Sequence, residues 1–118
     1  MTDTREEALK AVQKGDLLLS HGRLDMALAA YETGLGISWR LADADPTSAD
    51  LWRDVSVAHD RLGDLHLKEN RAEAALENYR VSQRVAEVLA RSDPQHAPWQ
   101  QDLAIRRTLA DTHPITAN

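Results

Sequence analysis

His59 and His66 are the residues of this chain best suited to hold a metal ion, and their spacing argues against it. They lie seven residues apart, which is ~10 Å along a helix. A zinc–nitrogen bond is only about 2 Å, and two histidines sharing an ion on one helix stand one turn apart. Both are therefore read as packing histidines, and no metal is expected. Cysteine is absent. That removes thiolate zinc sites, iron–sulfur clusters, disulfides and a cysteine nucleophile together. Ser56, His59 and Asp60 supply the residue types of a nucleophile, a base and an orienting acid. A serine on a continuous helix, however, has no exposed strained turn and no oxyanion hole beside it. No catalytic residue is assigned, and the chain is read as non-enzymatic. Gly34-Leu35-Gly36 has G-x-G spacing but lies in a helical segment with no strand before it, so neither a nucleotide nor another cofactor is expected. Close helix packing is the expected reason for this glycine pair, with a local kink as the alternative.

The elements that must carry these residues repeat. Sliding the sequence by 48 places sets residues 15–46 over residues 63–94 without a gap, and 12 of the 32 pairs are identical. Among them are Gly15/Gly63, Asp16/Asp64, Leu17/Leu65, Ala27/Ala75, Tyr31/Tyr79 and Asp45-Pro46/Asp93-Pro94. After each Asp-Pro the pattern continues, with Leu51 to Val57 resembling Trp99 to Ile105. Leu51, Val55, Ala58, Leu62 and Leu65 step by three and four residues, which puts them on one helical stripe. Ala72, Ala75, Leu76, Tyr79, Ala86 and Leu89 do the same. No segment alternates with period two. Pro46 and Pro94 close the long helices, Thr47 or Ser48 caps the next one, and Gly22 and Asn70 suit tight turns. Helices are predicted near residues 5–20, 23–43, 48–68, 71–91 and 97–110.

Charge narrows the partner class. Fourteen Lys and Arg against nineteen Asp and Glu leave a net charge of −5, where a nucleic-acid or anionic-membrane binder would normally carry a basic face. No nucleic acid and no membrane are expected as partners. The start of the chain lacks an apolar run of signal-peptide type, and no stretch approaches the ~20 apolar residues of a membrane span. A cytoplasmic location is expected.

Period and motif together resemble the tetratricopeptide repeat. Leu62-Gly63, Ala75 and Tyr79 match its signature, and Gly15, Ala27 and Tyr31 match it in the first copy, with Lys14 where the family carries Leu. The usual period is 34 residues. A period of 48 adds about two turns to each helix of a pair, and this is similar to the long-helix variety found in tandem in bacterial proteins. The resemblance implies an all-α fold, a right-handed superhelical array of antiparallel helix hairpins. It would form one domain over residues 1–118, with repeat one at about 5–46, repeat two at about 47–94 and a capping helix at about 97–110. Residues 113–118 are expected to be disordered.

Such arrays bind proteins or peptides on the concave face made by the first helix of each pair. Here that face is expected to carry Val12, Asp16, Leu19, Val57, Asp60, Asp64, Leu67 and Lys68, making an acidic groove for a basic or amphipathic segment. A solvated face that binds nothing is the alternative. Trp99 aligns with Leu51 and is expected in the core. Trp39 and Trp52 align with Glu87 and Gln100, so they are either an exposed interface pair or a local packing difference of the first copy. The unpaired last helix also raises the possibility of a homodimer through open repeat ends.

Overall fold

The computed structural model describes residues 3–112, with side chains up to residue 108. The expectation for residues 113–118 lies outside these. Five helices follow one another: α1 (Arg5–Ser20), α2 (Leu24–Ala44), α3 (Ala49–Lys68), α4 (Ala72–Ser92) and α5 (Ala97–Thr112). Their starts are set by local chemistry. Thr4 accepts a hydrogen bond from the Glu7 backbone N–H at 3.1 Å while its hydroxyl donates to the Glu7 carboxylate, so the threonine caps the first turn of α1. Ser48 accepts from the Leu51 N–H and opens α3.

The two tight turns are alike atom for atom. In the first, Gly22 takes φ 75°, its N–H bonds to Leu19 O, and the Arg23 N–H bonds to Leu18 O. In the second, Asn70 takes φ 60°, with N–H bonds from Asn70 to Leu67 O and from Arg71 to His66 O. Both are Schellman motifs, which satisfy the last helix carbonyls and turn the chain back within three residues. The longer joints are the Asp-Pro segments. Asp45 and Asp93 leave the α region at φ −138° and −143°, as the following proline requires.

Each helix packs against the next in the chain, and α1 also touches α3. The result is a slab of 44 × 40 × 18 Å. Its main core joins α1, α2 and α3 through Ala27, Tyr31, Leu62 and Leu65, with Val12, Leu18 and Leu28 packed around them. A smaller one, Ala86, Ala90 and Leu103, seats α5 on α4. Trp99 is half-buried and stacks on His96 at 3.9 Å between ring centres. It is a partly exposed cover over this end, as Leu51 is in the copy before it. Among the described residues no helix is long and apolar enough to cross a membrane.

Candidate interaction site

Two identical contacts fix the hairpins, and they place the cleft between α1 and α3. In each copy a glycine of the first helix lies under a tyrosine ring of the second. A Cβ built on Gly15 would meet Tyr31 at 2.5 Å, and one built on Gly63 would meet Tyr79 at 2.6 Å. The ring thus occupies the space where any side chain would stand. Each phenol then reaches the next residue of the first helix. Tyr31 donates to Asp16 at 2.6 Å and Tyr79 to Asp64 at 2.5 Å. Burial and the adjacent carboxylate raise both tyrosine pKa values well above their ordinary range.

These aspartates look into an open cleft of about 390 Å³ lined by Asp16, Leu19, Ser20, Tyr31, Arg61, Asp64 and Lys68. Four of the expected groove residues, Asp16, Leu19, Asp64 and Lys68, are therefore brought together. The cleft is not uniformly acidic. Arg61 Nε donates to Asp16 at 3.1 Å, and Lys68 stands on the same wall. Asp64 holds the Tyr79 hydroxyl and has no cation on it among the described residues.

The other expected positions lie elsewhere. Val57 and Leu67 are half-buried on α3. Asp60 turns away from the cleft toward α5, where Arg106 donates to it at 2.5 Å. Arg106 also donates to Asp102 at 3.0 Å and to the Ser82 hydroxyl. Ser82 in turn lies 3.0 Å from the Ser56 hydroxyl. The first copy has Ala8, Val12 and Gly34 at the positions of Ser56, Asp60 and Ser82, and there Gly34 packs directly on Val12 and the Ala8 carbonyl. One apolar contact has become a polar socket for the α5 arginine. Burial pushes the Asp60 carboxyl above its ordinary range against the pull of Arg106. Burial also works against the Arg106 charge, but Asp60 and Asp102 outweigh it and hold the guanidinium above its usual value.

Trp39 and Trp52 meet edge to face at 5.4 Å between ring centres. Both are half-buried and both indole N–H groups are used internally. Trp39 donates to His59 Nε2 at 3.2 Å, and Trp52 donates to Pro46 O at 2.8 Å. The pair ties the end of α2 to the start of α3. Ser56 and His59, three residues apart on α3, face different partners on α4, Ser82 and Asn78 respectively. His66 lies against Glu69 at 3.2 Å. Among the described residues no group of three His, Cys, Asp or Glu side chains stands close enough to share a metal.

Sequence reasoning missed Arg61, Ser20 and Arg106. Arg61 replaces Gln13 of the first copy and Arg106 replaces Ala58 of the second, so the repeat offered no matching partner to point at them. The tyrosine–aspartate pairs carried a signal, since both members are identical in the two copies. No protein-family model matches the chain, and no curated protein or solved structure matches it significantly.

Proposed function

We propose that this chain is a tetratricopeptide-like interaction module that binds a protein segment along its first-helix face. The observation that carries the reading is a row of apolar side chains at one repeat position. Leu9 on α1 is 42% exposed, Val57 on α3 is half-buried, and Ile105 on α5 is 59% exposed, and the three are separated by 48 residues each. Side chains of this size left open at the same place in successive units offer a seam to a partner. Asp64, with no cation of its own among the described residues, supplies a fixed anion beside that seam. An amphipathic segment with a basic residue fits this chemistry, the charge serving selectivity more than affinity.

Self-association through α5 has less support. Where Ala8/Ser56 and Val12/Asp60 receive a second helix, α5 carries exposed Ala104 and Thr108, and Asp111 replaces the glycine that admits tyrosine in the other two units. The acidic residue at that glycine position is what weakens this reading.

The test is affinity capture followed by variants read against one bound species. Leu9→Asp with Ile105→Asp should weaken binding at least about tenfold, roughly 1.4 kcal/mol, with helicity retained. Met26→Asp with Val88→Asp, at exposed positions on the second helices, should leave it unchanged. Binding that survives the first pair and disappears with the second would refute the proposal. A mass near twice 13.1 kDa that falls to the monomer value in the first pair would identify a second copy as the partner.

A further inference from the structure

His59 sits where three helices meet. Its Nε2 accepts the Trp39 indole N–H from α2 at 3.2 Å, and its Nδ1 lies 2.9 Å from Asn78 Oδ1 on α4. These partners fix the protons of the ring. An indole nitrogen only donates, so Nε2 carries no hydrogen. The Asn78 amide donates to the Ala74 carbonyl at 2.9 Å, which leaves its oxygen facing the ring. Nδ1 therefore supplies the hydrogen. The chain Trp39 to His59 to Asn78 to Ala74 runs donor to acceptor throughout, and it closes only around a neutral imidazole.

A second proton would set Nε2–H against the indole N–H, two donors face to face in a half-buried seam. No counter-charge stands ready. Trp39 from α2 and Asn78 from α4 occupy both ring nitrogens, and neither ionises. His59 has no ion pair among the described residues, and the neighbouring carboxylate on α3, Asp60, is engaged by Arg106. Trp39 itself rests edge-on against the His59 ring and against Trp52, so the proton would arrive at the middle of the contact between α2 and α3.

That contact is the joint between the first hairpin and the second. We propose that His59 is a proton-sensitive pin of this joint. Acidification releases Trp39 and loosens one hairpin from the other, while the Gly15–Tyr31 and Gly63–Tyr79 contacts hold each hairpin together. The cleft spans the same joint, since its walls come from α1 and α3, and it changes width when the pin is released.

Proton–nitrogen correlation spectra from about pH 8 to about pH 5, the interval over which histidine charge normally changes, test this directly. The background is Trp99→Phe, because His96 stacks on Trp99 and would add a response of its own. The Trp39 indole N–H resonance, identified by its loss in Trp39→Phe, should shift upfield as the pH falls, sharing one midpoint with the His59 ring resonances. Far-UV circular dichroism should stay constant. In His59→Gln, whose amide still accepts from the indole but does not titrate, the Trp39 resonance should stay in place. A Trp39 resonance that does not move, moves with a midpoint different from that of the His59 ring, or moves equally in His59→Gln overturns the proposal.

Discussion

A methyl group added at Gly15 would press into a tyrosine ring that has no exposed surface and whose hydroxyl is held by Asp16. Replacing a helical glycine by alanine gains about 1 kcal/mol in propensity, and overpacking a filled site costs about 1–3 kcal/mol. Which effect wins depends on whether the neighbour yields. Tyr31 is pinned at both ends, so Gly15→Ala is expected to destabilise. At Gly34 the obstacles are Val12 Cγ2 at 2.8 Å and the Ala8 carbonyl at 3.1 Å, and backbone does not move aside. Gly34→Ala is expected to destabilise as well. Gly36 has only the tip of Arg40 within reach, at 3.4 Å, and Gly36→Ala should stabilise by about 0.5–1 kcal/mol. Urea unfolding of the three single variants checks these signs; a loss at Gly36 equal to that at Gly34 would contradict the packing account. The sequence presented Gly34 and Gly36 as one pair, to be explained together by packing or by a kink. Residues two positions apart on a helix are ~200° apart around the axis, so they face different neighbours, and only the packed structure says which of them has one.

At the scale of helices, what was legible was whatever the chain determines locally. Caps, Asp-Pro stops and left-handed turn residues act within a few positions, and the five predicted helices match the observed ones to within two residues at each end. Asp60 was not legible. Its partner Arg106 lies 46 residues away, and whether α5 brings that guanidinium to α3 depends on how two helices lie across α4. The pairing makes a sharp prediction about α5. Arg106→Met leaves the Asp60 carboxylate, with side-chain exposure of only 23%, without its cation. The expected cost is about 1–3 kcal/mol, concentrated in α5, whose other anchors among the described residues include the small Ala86–Ala90–Leu103 cluster and the Gln100 amide on the Ala90 carbonyl. Adding Asp60→Val restores the residue type of the first copy at that position, and stability should return close to that of the parent, since a matched apolar pair commonly equals a partly buried ion pair. Hydrogen exchange of the α5 amides together with urea unfolding reads both steps. A double variant no more stable than Arg106→Met alone would show that the ion pair is not what holds α5.

For the molecule as a whole, the two tyrosines are the shared fastening, one in each hairpin, and they respond to the same variable. Burial first, and the Asp16 or Asp64 carboxylate second, raise both phenol pKa values above the ordinary value of 10.0. A group whose pKa is raised on folding contributes stability that is complete below its unfolded value and is lost as the pH climbs toward the folded one. The fold should therefore be insensitive to these groups up to about pH 10 and weaken progressively above it. A phenolate formed in place would lose the hydrogen it donates and face a carboxylate at hydrogen-bond distance, so ionisation and opening are linked in each hairpin. Tyr31 also touches the core that joins α1, α2 and α3, so losing its seat undoes the first hairpin and its contact with the second together. Tyrosinate absorbance and helical circular dichroism should then change over one alkaline transition. Tyr31→Phe with Tyr79→Phe removes both ionisable groups at the cost of two hydrogen bonds, about 0.5–1.5 kcal/mol each, and should hold its helicity to higher pH than the parent despite lower stability at neutral pH. If tyrosinate instead develops near the ordinary value while helicity stays whole, the phenols are not fastened as the geometry has them, and the hairpins owe their closure to the aliphatic core alone.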